Sequence, residues 1–319
     1  MRQMRRLAMA ALIAVGLLGG CGGTPKPKET AQSEMMYFLT TTGDFDTLTN
    51  KVFEAFKAAG YTMGENRDMV TPYKKQFGET HVAHYNLLTV HHIGFVSKIA
   101  QTESDIALFS PFILLTYEKD GKFYAGFLRP TFMAKIIGAK SGMDLFKAYE
   151  DKSIAALQSA LPGAAEHRPD YPVKNSGKPY VVKVVTEMDE DADPADKKFE
   201  MQMIFEDGLA PYGFIIANFN NLAYELSEKA GDESFEFMDT YSICKLPVIY
   251  NVSKSRPEAG VFAPCSLAMY KKAGSPEVVI AYPSVENWID HLGVTDETSL
   301  AELKEAQEQI KKVIGSAAE

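Results

Sequence analysis

Apolar residues recur every three or four positions in several stretches, the spacing that places them on one face of a helix. The first stretch spans residues 48–59 and follows Asp44, whose side chain can cap a helix. The same spacing predicts helices at residues 93–99, 132–137, 143–161, 220–230, 247–252, 285–292 and 299–314. Runs rich in β-branched and aromatic residues predict strands at 35–42, 82–91, 112–117, 122–128, 180–186, 199–205, 214–217, 238–245, 267–270 and 278–281.

A hairpin joins the predicted strands at 112–117 and 122–128. Its turn contains Asp120-Gly121, and Asp-Gly between apolar runs is a strong hairpin signal. Features of this region return at a constant separation, since Tyr117 and Tyr270 are 270 − 117 = 153 residues apart. The same separation relates Phe109, Pro111, Gly121 and Pro130 to Phe262, Pro264, Gly274 and Pro283. This constant register predicts one structural unit that is present twice.

The order of elements in each half predicts an α+β fold. Each unit is expected to be a two-layer domain, with a mostly antiparallel sheet and helices packed on one side. The sequence divides into a signal peptide at residues 1–20, a disordered tether at 21–34 and a first repeat at 35–162. A linker rich in proline, glycine and charge follows at 163–179, and the second repeat spans 180–319.

The N-terminus has the pattern of a bacterial lipoprotein signal. Three arginines within residues 1–6 precede an apolar run at 7–18, which is too short to span a membrane. The run ends in Leu18-Gly19-Gly20-Cys21, which resembles the lipobox. That resemblance implies cleavage before Cys21 and acylation of its sulfur, and buried acyl chains would hold the protein on a membrane. By the sorting rule known for enterobacterial lipoproteins, which the resemblance brings with it, Gly22 instead of aspartate after the cysteine favours the outer membrane, with the protein facing the periplasm.

Composition and charge narrow the class of partner. Hydrophobic residues make up 46% of the chain, which is normal for a globular protein. The formal net charge is −9, and loss of the three N-terminal arginines would make it −12. Nucleic acid is therefore not an expected partner, because its phosphates require a positive surface.

Two cysteines remain if Cys21 is acylated. Cys244 ends one predicted strand and Cys265 begins the next, so the two can be neighbours in a sheet. An oxidising envelope would favour a disulfide between them. Inert buried thiols, a redox-active pair and a pair of soft metal ligands are the alternatives.

Histidines His81, His84 and His91 are weak metal-ligand candidates. They crowd one segment together with His92. Those that share a face of an extended strand are eight to ten residues apart, roughly 26–33 Å, which is too far for one metal ion. Ordinary surface or strand-edge histidines are the favoured interpretation, and no cofactor is predicted.

The second half resembles the family called domain of unknown function 302. The residues concerned are Ile243-Cys244, Pro247, Phe262-Ala263-Pro264-Cys265 and Tyr270, and Phe109-Ser110-Pro111 and Tyr117 fit in the first half. The resemblance covers about residues 39–137 and 215–292. It implies a compact α+β fold without a settled activity. His91 and Phe112 stand at the first-half positions of Cys244 and Cys265. The two copies are therefore not expected to share any thiol chemistry.

The sequence alone predicts a lipid-anchored protein of the cell envelope that binds either a small ligand in a groove between the copies or a partner protein. The alternative is a thiol redox or metal-handling accessory protein that uses Cys244 and Cys265. Motifs of catalysis such as Gly-x-Ser-x-Gly, His-Glu-x-x-His and Cys-x-x-Cys are absent from the sequence, so an enzyme is less expected than a binding protein.

Overall fold

The computed structural model describes residues 34–189, 191–263 and 265–318, which form two antiparallel sheets with flanking helices. The first sheet has the strand order β2-β3-β4-β5-β1-β6. Its strands are β1 Met36–Thr41, β2 Thr62–Asp68, β3 His84–His91, β4 Phe112–Lys119, β5 Lys122–Leu128 and β6 Ala165–His167. The helices of this half are α1 Phe45–Ala58, α2 Val70–Phe77, α3 Ile93–Ala100, α4 Pro130–Ile137 and α5 Met143–Ala160.

The second sheet has the order β7-β11-β10-β9-β8. Its strands are β7 Val181–Glu187, β8 Ile215–Asn221, β9 Phe235–Cys244, β10 Cys265–Lys272 and β11 Glu277–Pro283. Its helices are α6 Pro194–Leu209, α7 Leu222–Ala230, α8 Leu246–Ser255 and α9 Glu297–Ala318. If β1 is matched to β7 and the later strands follow in turn, the two sheets have the same order. This confirms an α+β fold of two related domains.

The predicted register holds through the first strand of each hairpin and then shifts. Strands β4 and β10 begin 265 − 112 = 153 residues apart. In the second strands, Gly126 pairs with Leu115 and Ala281 pairs with Ala268. Because Leu115 and Ala268 are equivalent (268 − 115 = 153), Gly126 and Ala281 are equivalent as well, but they are 281 − 126 = 155 residues apart. The turn between β10 and β11 contains two more residues than the Asp120-Gly121 turn. The expected match of Pro130 with Pro283 is therefore wrong.

Local sequence explains the first helix and the first hairpin. The side chain of Asp44 accepts a hydrogen bond from the backbone N–H of Thr47 and caps α1, as expected. Asp120 and Gly121 have φ angles of 53° and 70°, the left-handed backbone that a two-residue hairpin turn requires.

Each sheet uses its two faces differently. In β4, Thr116 points toward α1, where its hydroxyl contacts that of Thr49, whereas Leu115 points away from the helices. On that second face lies Gly260 of the other half, beside Leu115 and Tyr85. Each sheet therefore packs against its own helices on one side and against the opposite repeat on the other.

The strand predicted at residues 199–205 is wrong, because these residues lie in α6. Phe199, Met201, Met203 and Phe205 alternate with polar residues, which mimics a half-buried strand. In the helix, Met201 and Phe205 are buried, whereas Phe199 and Met203 are 63% and 50% exposed. Asp193 caps the helix by accepting a hydrogen bond from the backbone N–H of Ala195.

Three further elements differ from expectation. The helix predicted at 285–292 is reduced to a single π-helical turn, Asn287–His291. Helix α2 was not predicted, although Asp68 accepts hydrogen bonds from the backbone N–H groups of Val70 and Thr71 at its start. Strand β6 lies inside the segment predicted as a linker, and it extends the first sheet.

Candidate binding site between the two repeats

The repeats exchange a short 3₁₀ segment across their interface. The first interface segment, Ser104–Phe109, precedes β4, and the second interface segment, Pro257–Phe262, precedes β10. The first packs on β9, β10 and β11, whereas the second packs on β4 and β5. Each segment is thus held by the sheet of the other repeat.

A tyrosine–carboxylate pair anchors each exchanged segment. The Tyr117 hydroxyl donates to Glu258 Oε1 at 2.8 Å, and the Tyr270 hydroxyl donates to Asp105 Oδ1 at 2.8 Å. Both partners repeat at the same separation, since 258 − 105 and 270 − 117 are each 153. The two contacts are therefore equivalent positions in a pseudo-twofold arrangement. The sequence carried this signal in two acidic residues that share the register of the two tyrosines.

The first of these positions, called here the closed site, is covered by the segment that links the repeats. His167 Nε2 lies 2.7 Å from Glu258 Oε1, and the Tyr171 hydroxyl donates to Glu258 Oε2 at 2.5 Å. Glu258 is only 2% exposed. Burial alone would raise the pKa of this carboxyl group, but hydrogen bonds from His167, Tyr171 and Tyr117 outweigh it and hold the pKa below its ordinary value.

The second position opens into a cleft of about 570 Å³ between the repeats, called here the open cleft. One wall belongs to the first repeat and includes Asp105, and the other is the exposed face of β7, β10 and β11. Lys183 of β7 forms an ion pair with Asp105 Oδ2. Val185 and Val279 provide apolar surface, and Val185 is 52% exposed.

Charged groups surround this apolar surface. Lys140 and Lys272 are exposed at the edge of the cleft, together with Glu277. Glu103 also lines it, but its Oε1 accepts hydrogen bonds from the backbone N–H groups of Lys140 and Ser141. Because Glu103 and Asp105 are engaged within the protein, the remaining charges favour a ligand that carries a negative group.

The hydroxyl of Tyr270 remains protonated in this cleft. Burial and the negative charge of Asp105 both raise the pKa of Tyr270 far above its ordinary value. The described lining therefore offers hydroxyl, carboxylate and ammonium groups, and contains neither a thiol nor an imidazole. Such a set can bind and orient a polar molecule through hydrogen bonds and ion pairs.

The predicted cysteine pair lies elsewhere, in an apolar cavity of the second repeat. Cys244 and Cys265 are free thiols that line a space of about 30 Å³ beside α8 and α9. Such a space accommodates about two water molecules. Burial raises the pKa of Cys244 to about 11, and burial together with the neighbouring Cys244 raises that of Cys265 to about 12. These values oppose thiolate chemistry near neutral pH.

The three candidate histidines have separate surroundings. His81 Nε2 lies 2.9 Å from the Ser253 hydroxyl, and burial lowers its pKa to about 4. His84 stacks on Phe45 near the surface. His91 is buried between Ser110 and Glu225, with its Nε2 3.1 Å from Glu225 Oε2. No group of three potential metal ligands occurs among the described residues.

The predicted lipidation site, Cys21, lies outside the described residues, as do the signal peptide and the tether up to residue 33. Within residues 34–318, apart from positions 190 and 264, no helix combines the length and apolar character needed to cross a membrane.

Comparisons with known proteins identify the repeated unit. The family model described as "Domain of unknown function DUF302" matches residues 37–160 and again residues 200–317. One similar solved structure is that of an uncharacterized conserved protein DUF302 from Bacillus stearothermophilus. It shares 17% identity with a TM-score of 0.35, and the match covers 44% of this chain and 98% of the other. No curated protein sequence matches the chain.

Proposed function

This chain belongs to the DUF302 family, which has no assigned activity, and from that premise we propose that it is a lipid-anchored binding protein of the cell envelope. Its binding site is the open cleft, where it holds a polar ligand between the two repeats. The observation that carries this proposal is the asymmetry of two equivalent positions. At one position His167 and Tyr171 cover the carboxylate of Glu258, whereas at the other only Lys183 pairs with Asp105 beside a cleft of about 570 Å³.

The size and lining of the open cleft suit a ligand of the size of a short peptide or metabolite. Ligand sites in proteins typically enclose about 300–1,000 Å³. Val185 and Val279 can contact an apolar part of the ligand. Lys140 and Lys272 can pair with a carboxylate, because both lysines are exposed at the edge of the cleft.

The membrane anchor rests on the N-terminal sequence. We place the diacylglycerol on Cys21, at the end of the basic and apolar leader. Anchored in this way, residues 21–34 would tether the repeats to the outer membrane on its periplasmic side. A globular pair of repeats on such a tether can reach soluble ligands and neighbouring envelope proteins.

Ligand-observed NMR on the purified full chain tests the binding site. Saturation-transfer signals are measured for a panel of amino acids, di- and tripeptides, short-chain carboxylates and sugar phosphates. We expect carboxylate-bearing members with an apolar side to give signals, and the variant Lys272→Glu to lose them.

Lys119→Glu is the matched control, because Lys119 is the first-repeat equivalent of Lys272 (272 − 119 = 153) and lies outside the open cleft. It introduces the same charge change and should retain the signals. The proposal fails if no member of the panel binds, or if both variants lose binding equally.

The thiol redox or metal-handling alternative has weaker support. Cys244 and Cys265 share one cavity, but burial raises both thiol pKa values and the cavity is small. A metal analysis of the purified protein would favour this alternative only if a metal were found that is lost when Cys244 and Cys265 are replaced by serine.

A further inference from the structure

The closed site contains an internal example of strand addition. Strand β6 pairs antiparallel with the outer edge of β1, with Phe38 opposite His167 and Thr40 opposite Ala165. The pairing carries the imidazole of His167 over the sheet, 4.8 Å from the Tyr124 ring, where it reaches Glu258. An extended segment thus contributes both a strand and a ring that fills the site.

Strand β7 is the second-repeat equivalent of β1. Phe38 pairs with Gly126 and Lys183 pairs with Ala281, and Gly126 and Ala281 are equivalent in the two hairpins. The edge opposite Lys183, Val184 and Val185 therefore corresponds to the edge that β6 occupies. No strand within the described ranges pairs with it, because β7 is the terminal strand of its sheet.

The unpaired backbone of β7 can act as a template for another strand, with Lys183 at its centre as a charge that guards this edge in the free protein. The strand contains four valines in seven residues, Val181, Val182, Val184 and Val185. An unpaired edge strand exposes a row of backbone N–H and C=O groups, and proteins usually cover or interrupt such an edge. Here a β-rich edge borders the open cleft directly, since Lys183 and Val185 line it.

We propose that the edge of β7 binds an extended peptide segment of a partner protein as an added antiparallel strand, and that a histidine or tyrosine of this segment enters the open cleft. This inference rests on the proposed function and names its ligand class. Backbone hydrogen bonds to β7 supply part of the affinity, and the ring in the cleft supplies selectivity, as in other cases of strand addition.

The cleft offers the ring equivalents of the contacts that His167 makes. Val279 stands where Tyr124 stands in the closed site, and Asp105 stands where Glu258 stands. Asp105 is one methylene shorter than Glu258, and a ring that reaches its carboxylate must replace the ammonium group of Lys183, which occupies the space between Asp105 and the edge strand. Lys183 pairs with Asp105 in the free protein, but its side chain is 44% exposed and can turn toward solvent.

Charge favours a peptide with an acidic residue near the ring. Lys140 and Lys272 border the cleft on opposite walls, one in each repeat. A carboxylate on the bound segment would lie between them. The occupant is thus an extended segment that presents a histidine or tyrosine and a neighbouring aspartate or glutamate.

A direct binding titration tests the inference. The probe is a fluorescein-labelled peptide with the sequence of residues 163–172, which contains His167, Glu166 and Tyr171. Titration of the full chain into the labelled peptide, followed by fluorescence polarisation, should show saturable 1:1 binding. Replacing the histidine of the peptide with alanine should weaken binding about fivefold or more. A peptide N-methylated at the Glu166 and His167 positions should not bind, since one of these N–H groups must face β7.

Protein variants locate the binding. Asp105→Asn and Val279→Trp should each weaken binding about fivefold or more, the first by removing the charged acceptor and the second by filling the ring position. Circular dichroism confirms that each variant is folded, and Lys119→Glu should bind like the wild type. Equal binding by wild type and both cleft variants would overturn the inference.

Three other outcomes would also overturn it. Absence of a polarisation change up to the highest concentration of full chain that stays in solution excludes strand addition by this sequence class. If the peptide binds only after residues 22–33 are deleted, the protein's own N-terminal segment occupies the edge of β7 in the full chain. Self-association that the peptide cannot displace would make a second copy the occupant. If the NMR panel gives cleft binding while the peptide does not bind, this inference fails and the proposed function stands.

Discussion

Replacing Glu258 with alanine should destabilise the protein far more than replacing Asp105, although the two residues are equivalent in the repeats. Glu258 accepts hydrogen bonds from Tyr117, Tyr171 and His167, and it is 2% exposed. Each buried donor that is left without its charged acceptor lowers the free energy of unfolding by about 1–3 kcal/mol. Because Tyr171 and His167 are partly accessible to water, their costs fall near the lower limit. We expect Glu258→Ala to reduce the free energy of unfolding by about 4 kcal/mol.

Asp105→Ala removes fewer interactions, one hydrogen bond from Tyr270 and one ion pair with Lys183, and it does so in the wall of the open cleft, although Asp105 itself is only 5% exposed. Tyr270 loses its acceptor, but water in the open cleft can replace it. The ammonium group of Lys183 is 44% exposed, so removing Asp105 leaves no unpaired buried charge, and loss of this ion pair adds little to the cost. We therefore expect Asp105→Ala to cost only about 1 kcal/mol.

Equilibrium unfolding in urea measures both losses. Fluorescence of the single tryptophan, Trp288, reports on the second repeat, and circular dichroism reports on the whole chain. The slope of the unfolding free energy against urea concentration should be the same for both variants and the wild type. An unchanged slope would show that a variant changes the stability and not the surface exposed on unfolding. Equal losses for the two variants, or a larger loss for Asp105→Ala, would refute the assignment of a closed and an open site.

Three further predictions concern pH, thiols and the anchor. The pKa of Glu258 lies below its ordinary 4.5, so its stabilising contribution is complete above pH 4.5 and disappears as pH falls through the lowered pKa. The stability difference between the wild type and Glu258→Gln should shrink over that range in urea titrations, and a constant difference would contradict it. Cys244, with a pKa of about 11 instead of 9.0, should be alkylated by iodoacetamide at pH 8 about 100-fold more slowly than an ordinary thiol, whereas rapid alkylation would favour a redox role. Cys21→Ser should abolish incorporation of labelled palmitate and release the protein from membranes, and a variant that stays membrane-bound would contradict lipid anchoring.

The repeat and its hairpins could be predicted because local sequence determines them. Asp120-Gly121 specifies a tight turn, and apolar alternation specifies the flanking strands. The same rule failed at α6, where Met201 and Phe205 are spaced both for a strand and for a helix. The helix forms because it buries Met201 and Phe205 against neighbouring elements.

The open cleft could not be predicted from local pattern. Its walls come from residues 102–140 and 183–279, which meet only after both sheets have formed and packed together. The acidic residues Asp105 and Glu258 shared the register of Tyr117 and Tyr270, but sequence alone did not pair them across the repeats. The difference between the two sites depends on where β6 lies, and a three-residue strand inside a polar linker gives little signal.

Hydrogen–deuterium exchange of the full chain, with and without the peptide of residues 163–172, tests the central claim most directly. In the free protein, amides of β7 should exchange faster than those of β1, because β6 pairs with β1 and the edge of β7 is unpaired within the described chain. The peptide should slow exchange in β7 and leave β1 unchanged. Equal protection of β7 and β1 without the peptide, or no change in β7 when the peptide is added, would contradict the account.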